Sequence, residues 1–290
     1  MKTDEHTHTD TPVCPCGSTS YKTVLTADRY CVYGWNVQPM DYELWKCTRC
    51  RLVRTWPEPP HEEHHIFRDD SFLDSYLQNP ELYEHYLRVT VGEIAKVKPA
   101  PGRFLDVGAN IGTQLRIAGE LGYDAVGVEL NTAACEYAQG QGLNVINAAC
   151  EDAGLADESF DVISLSATAE HIPDFGEELG LYRRLLKPGG LLHLSNSPNY
   201  RSFGAWYEKD LWYGIQPTGH VWQFTPKTLK DVVRRCGLKP VYVRTYNLHR
   251  DFGRGKKERL RKKAFAVAQT LGLGDALSVG AVKPGRTSGL

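Results

Sequence analysis

Residues 104–113 read Phe104-Leu105-Asp106-Val107-Gly108-Ala109-Asn110-Ile111-Gly112-Thr113. An apolar run of strand length enters a turn built on Gly108 and Gly112, and a helix-like segment opens near Thr113. Two glycines there let backbone approach a ligand closely at the carboxyl edge of a strand, where open α/β sheets bind small molecules. The spacing is Gly-x3-Gly with Asp106 two residues ahead, and it lacks the G-x-G-x-x-G expected around a dinucleotide pyrophosphate. A carboxylate beside such a turn repels a pyrophosphate and welcomes a cation.

Downstream, short apolar runs alternate with helix-like segments. RFLDV, DAVGV, NVI, FDVISL and LLHLS are the strand candidates, with helices expected near 112–122, 131–140 and 176–187. A helix near 226–236, a strand near 240–246 and a last strand near 277–282 complete the pattern. Alternation of this kind predicts an α/β, Rossmann-like doubly wound sheet. Pro188-Gly189-Gly190 reads as a turn between helix and strand. Glu129, 23 residues after Asp106, ends the second strand, where a carboxylate can accept hydrogen bonds from both hydroxyls of a ribose.

Upstream, TWPEPPHEEHH carries Pro57, Pro59 and Pro60 and marks a boundary. Residues 61–98 follow as a helical linker or cap, with Leu82, Tyr83, Tyr86, Leu87, Val91 and Ile94 at helical spacing. Residues 1–12 form a polar tail containing His6 and His8, expected to be disordered. Between them, 13–56 shows short β-like runs framed by two cysteine pairs, Cys14/Cys16 and Cys47/Cys50. Cys47-Thr48-Arg49-Cys50 has the C-x2-C spacing of a zinc knuckle, while Cys14-Pro15-Cys16 is one residue short. The four cysteines fit a small β-rich, zinc-ribbon-like module holding structural Zn2+. Cys31 is an alternative ligand to Cys14, and a retained fold without metal is the other reading. Cys135 and Cys236 read as filler.

Composition narrows the field. The 290 residues carry 34 Lys+Arg against 35 Asp+Glu, a net charge of −1, which argues against a nucleic-acid partner and for a small molecule. No apolar run reaches the length of a membrane span and the polar start lacks a signal-peptide core, so a cytoplasmic location is expected. Eight cysteines in a reducing compartment argue for metal binding or catalysis rather than disulfides. The neutral total conceals a local imbalance: residues 250–263 hold eight Lys and Arg against two acids, +6, leaving −7 for the rest. That run, within a helical segment 250–272, reads either as a solvated helix or as a weak contact with a membrane or an acidic partner.

Taken in order, DVGANIG, VELN, CEDAGLADESFDVISL, AEHIPD, LLKPGGLLHLSNSPN and GHVWQFTPKTL resemble the class I S-adenosylmethionine-dependent methyltransferases. The likeness is strongest to a branch with an N-terminal cysteine-rich module, and it covers residues 13–54 and 66–284. It implies a seven-stranded sheet with an antiparallel last strand, a methyltransferase domain over 99–290, and S-adenosylmethionine as cofactor. Asp106, Gly108 and Gly112 then fall at the methionine end and the turn, and Glu129 at the ribose. Cys150 and Glu151 fall near adenine, with Ser166 and Ala167 near the sulfonium. Asn110 stands where many relatives carry glycine, and asparagine tolerates the left-handed backbone such a turn requires.

His171, in AEHIPD, and His220, in TGHVWQFTP, are the candidate bases for an acceptor hydroxyl; His171 can instead only hydrogen-bond a loop, and His220 can instead be a positioning residue. An insert, 198–224, concentrates Tyr200, Phe203, Trp206, Tyr207, Trp212, Tyr213, Trp222 and Phe224, which either cover an apolar acceptor or pack as core. Tyr83 and Tyr86 are placed to close the pocket opposite. The function expected is methyl transfer to a small-molecule hydroxyl in specialised-metabolite biosynthesis. The alternatives are transfer to nitrogen or carbon of a nucleotide sugar or polysaccharide, and a zinc-dependent binding protein with a vestigial catalytic domain.

Overall fold

The computed structural model describes residues 5–6, 11–32, 36–58, 73, 76–248 and 255–285. Most of the polar tail with His8, most of the segment between Pro57 and the first long helix, and residues 249–254 of the basic run lie outside these.

The main sheet has seven strands, β5 (Arg103–Val107), β6 (Asp124–Val128), β7 (Val145–Ile146), β8 (Phe160–Ser166), β9 (Leu186–Pro198), β11 (Lys239–Tyr246) and β12 (Ala276–Val282). Their order is β11-β12-β9-β8-β5-β6-β7. Strands β5 to β9 pair in parallel, and β12 runs antiparallel to both β9 and β11. The antiparallel last strand is therefore present, inserted between β9 and β11. Parallel strands buried on both faces read as continuous apolar runs, which is why FDVISL and LLHLS were visible as strands.

Helices α1 (Pro80–Val97), α2 (Thr113–Glu120), α3 (Thr132–Gly140), α4 (Phe175–Leu185) and α6 (Pro226–Arg235) flank the sheet. Two of them begin on side-chain caps. Asn131 Oδ1 accepts the Ala134 N–H at α3, and Thr225 and Thr228 form a reciprocal capping box at α6. Helix α1 buries Val91 and Ile94 against Phe104, Ile117, Val162 and Leu191.

Pro188-Gly189-Gly190 forms no turn. Strand β9 begins at Leu186 and runs through these residues, and the register to β8 shifts between Phe160 and Val162. Gly189 donates its N–H to the Lys283 carbonyl, so backbone groups that a turn would leave to water are tied to the end of β12.

The N-terminal sheet has the order β1 (Glu5–His6), β2 (Tyr21–Val32), β3 (Asn36–Cys47), β4 (Val53–Trp56), β10 (Trp222–Gln223). Its fifth strand comes from the aromatic insert, antiparallel to β4. Within the insert, α5 (Phe203–Glu208) lies near the surface, while Trp212 is buried with Tyr30, Tyr42, Leu44 and Val53 beneath the N-terminal sheet. Trp212, Trp222 and Phe224 are core, whereas Trp206 and Tyr207 face solvent.

Candidate functional site

At the carboxyl ends of β5 and β6, residues 108–112 form the loop foreseen at Gly-x3-Gly. Gly108, Asn110 and Gly112 all take left-handed backbone, φ +75°, +49° and +77°. A Cβ on Gly108 would lie 2.8 Å from Thr168 Oγ1, and one on Gly112 would lie 2.3 Å from Leu143 Cδ1, so both positions exclude side chains. Asn110 meets the left-handed requirement by turning its Oδ1 onto the Ile111 N–H at 2.7 Å.

Glu129 lies at the end of β6, with Oε2 accepting the Asn110 N–H and Oε1 the Asn131 N–H, each at 2.7 Å. Burial raises its carboxyl above the ordinary value, and these backbone donors offset only part of that rise. A carboxylate holding one N–H per oxygen keeps further lone pairs for hydroxyl donors. Asp106 sits beneath the loop, fully buried, and its Oδ1 accepts from Gln114 Nε2 at 3.0 Å. Burial, and then the charge of Glu129, hold the Asp106 carboxyl well above its usual value. Gln114 Oε1 has no partner. Cys150 is buried, its thiol pushed up to about 12 by burial, whereas the neighbouring Glu151 is exposed.

Ser166 ends β8, and its Oγ accepts from Asn196 Nδ2 at 2.6 Å. Asn196, itself left-handed at φ +58°, is fixed by Tyr246, which donates its hydroxyl to Asn196 Oδ1 and accepts the Asn196 N–H. Ala167 follows at φ +52°, its N–H bonded to the Ser195 carbonyl. The ends of β8, β9 and β11 are thus joined by side chains.

His171 and His220 come together, with ring centroids 4.7 Å apart. His171 Nδ1 lies 3.0 Å from the Gly219 carbonyl and His220 Nδ1 2.8 Å from the Gly214 carbonyl. A carbonyl oxygen only accepts, so Nδ1 carries the hydrogen in both rings and Nε2 the lone pair. Burial lowers His220 to about 4, so it is neutral at physiological pH. Beside them stands Glu170, fully buried, whose carboxyl accepts from Ser197 Oγ at 2.7 Å and is raised to about 7 by burial. One ligating atom from each of Glu170, His171 and His220 lies within 4.8 Å of the others. The N-terminal sheet reaches this group: Thr55 Oγ1 donates to the His220 carbonyl at 2.6 Å, and its N–H to Val221 O at 2.9 Å.

The four cysteines also converge. Cys14 Sγ lies 3.4 Å from Cys50 Sγ and Cys16 Sγ 3.6 Å from Cys47 Sγ, with all four within 4.8 Å of one another. Tetrahedral thiolates around zinc at about 2.3 Å stand about 3.8 Å apart, and a disulfide would need about 2.05 Å. Both knuckles close on left-handed residues, Gly17 at φ +79° and Arg51 at φ +70°. The hydrogen bond between Cys14 and Cys50 lowers Cys50 and raises Cys14, so the pair shares one proton closely. Cys31 is no substitute for Cys14: it pairs with Val37 toward the far end of the hairpin whose near end pairs Tyr21 with Cys47.

A family described as a methyltransferase domain matches residues 80–243. The chain belongs to that family. The match begins with α1 and spans both the left-handed loop and the paired histidines. The ubiquinone biosynthesis O-methyltransferase of Cereibacter sphaeroides strain ATCC 17025 is 35% identical over 150 residues, 48% of this chain. The aligned part spans 61% of that relative's length. Among solved structures, an S-adenosylmethionine-dependent methyltransferase from Archaeoglobus fulgidus has a TM-score of 0.55 at 19% identity, covering 72% of this chain and 99% of that one. A possible histamine N-methyltransferase from Thermotoga maritima has 0.52 at 23%, covering 76% and 99%. At these identities the two structures share the fold.

Several residues of the methyltransferase domain's site had no sequence signal of their own. Gln114, Thr168, Asn196, Tyr246 and Glu170 acquire their roles only when distant strand ends meet.

Proposed function

We propose that this chain is an S-adenosylmethionine-dependent methyltransferase acting on a hydroxyl of a small molecule, with a structural zinc at its four N-terminal cysteines. The observation that carries the reading is the loop at 108–112, kept free of side chains at both glycines and tied by its Asn110 N–H to Glu129. Glu129 would receive the ribose hydroxyls, and Gly108, Asn110 and Gly112 would admit the cofactor's methionine end. Cys150 and Glu151 would border the adenine, and Ser166 and Ala167 the reacting end. Asp106, buried and bonded to Gln114, supports the loop from beneath. When bound, the cofactor supplies an electrophilic methyl group.

The chain's own contribution is placement of the acceptor and handling of its proton. His171, only half-buried, is the better general base of the pair, since burial makes protonation of His220 costly. The Gly214 carbonyl holds the His220 ring, which packs against the ring of His171. Oxygen is favoured as the methylated atom by the relative named as an O-methyltransferase. A specialised metabolite remains our proposed acceptor class. The overall neutral charge supports a small-molecule partner rather than a nucleic acid.

Calorimetry with S-adenosylmethionine and its demethylated product tests this reading. We expect both to bind, and Glu129→Ala to weaken each by about tenfold or more through loss of charge-assisted hydrogen bonds. Absence of binding by either compound at hundreds of micromolar would overturn the enzyme reading and leave a binding protein on a methyltransferase fold.

A further inference from the structure

Helix α7 (Lys256–Thr270) follows the undescribed part of the basic run. Its inner face is set by Phe265 and Ala268, both buried, with Phe265 edge-on to Phe203 of α5 at 5.1 Å. At 100° per residue, Leu260, Val267 and the C-cap residue Leu271 fall within about 40° of one another and about 120–160° from Phe265. They are 70%, 58% and 70% exposed. Ala264 completes an outward stripe at i, i+4, i+7 and i+11. The helix therefore carries a second apolar face that stands exposed among the described residues.

Cations surround that stripe. Lys256 and Lys263 share its sector, Lys257 and Arg259 flank it, and with Arg261 and Lys262 the helix holds six cations against the single acid Glu258. On the adjoining α5, Trp206 is 72% exposed and Tyr207 52%, with Arg261 over the Tyr207 ring at 5.8 Å. Exposed aliphatics among lysines, beside an exposed tryptophan, are the chemistry of a helix lying in a bilayer interface. A second copy of this chain seated on the stripe would bring two such cationic helices together, which their charge opposes.

We propose that the outer face of α7, together with Trp206, docks on an anionic lipid surface. Leu260, Val267 and Leu271 enter the headgroup boundary, and the lysines beside them meet anionic headgroups. The inference goes beyond methyl transfer, and its test passes through neither cofactor binding nor turnover.

Co-sedimentation of the full chain with vesicles decides it. The protein should pellet with phosphatidylcholine vesicles containing one-third phosphatidylglycerol and stay in the supernatant with pure phosphatidylcholine. Binding should fall steeply at about 0.5 M salt, where the Debye length is only a few ångströms. The double variants Leu260→Gln/Leu271→Gln and Lys256→Gln/Lys263→Gln should each lower partitioning by about tenfold or more. Both alter exposed positions, so unchanged melting temperatures separate loss of docking from loss of fold. Full recovery in the supernatant with the anionic vesicles at low salt would overturn the proposal. So would wild-type partitioning by the leucine variant, or capture of poly-glutamate without any partitioning onto vesicles.

Discussion

Glu170 and His220 are buried side by side, and burial acts on them with opposite sign. The Glu170 carboxyl is raised to about 7, so the folded state holds its proton more tightly than the unfolded chain does. Stability from that group is complete below the unfolded carboxyl range and is lost as pH rises through 7. His220 is lowered to about 4, so its contribution is complete above the unfolded imidazole value and is lost as pH falls through 4. In the mildly acidic range between these values the two slopes oppose each other. Replacing Glu170 by Gln removes one slope and keeps a neutral polar side chain for Ser197. Relative to wild type, Glu170→Gln should gain stability steadily between pH 5 and pH 8, by up to ~3 kcal/mol. Denaturant melts across that range measure it. A difference between variant and wild type that does not change with pH would show that Glu170 ionises without cost.

Strand β4 joins the N-terminal sheet to the segment that carries His220. Its Thr55 hydroxyl and N–H bond to the carbonyls of His220 and Val221, and Arg54 beside it is buried between the Trp56 and Trp222 rings and ion-paired to Glu58. Thr55→Val keeps the shape and leaves the His220 carbonyl without its side-chain donor, at a cost of about 1–3 kcal/mol. Because the carbonyl lies on the histidine facing His171, the KM for acceptor should rise several-fold while calorimetric affinity for the cofactor holds. Equal losses in cofactor affinity and acceptor KM would mean that Thr55 serves the fold alone. This seam marks the limit of what the sequence disclosed. Strands, helices and the two-glycine loop were legible because each obeys a local period or turn rule, whereas the backbone of Asn110 was implied by the resemblance. The pairing of residues 222–223 with 53–54 was not, since two-residue strands carry no periodicity. For the same reason Trp212 and Trp222 could not be separated in advance from Trp206: aromatic density alone does not tell core from surface. Pro188-Gly189-Gly190 misled because a bulged strand and a tight turn use the same residues.

On the scale of the whole molecule, the cysteine cluster and the sheet form one body of packing. Cys14, Tyr21, Trp45, Cys47 and Leu52 belong to the same apolar cluster as Leu105, Leu165, Phe175 and Trp222. Pro15, inside the first knuckle, abuts the start of α4: a Cβ on Gly176 would lie 3.4 Å from Pro15 Cβ. Metal held by the four thiolates would therefore stabilise more than a small hairpin. The proposed zinc binds the folded chain and not the unfolded one, so its binding free energy adds to that of folding. If the packing is continuous, the added stability is spread through the catalytic half and the chain unfolds as one cooperative unit. We expect about one zinc per chain by elemental analysis and a single calorimetric transition. Cys47→Ser/Cys50→Ser should lose the metal and shift that one transition down by at least several degrees, carrying the loss of cofactor binding with it. Two separate transitions, with only the lower one moved by the double variant, would show instead that the cysteine module unfolds by itself. A metal-free wild-type preparation melting at the same temperature as the zinc-bound one would remove the metal from the account and leave the shared apolar core as the sole link.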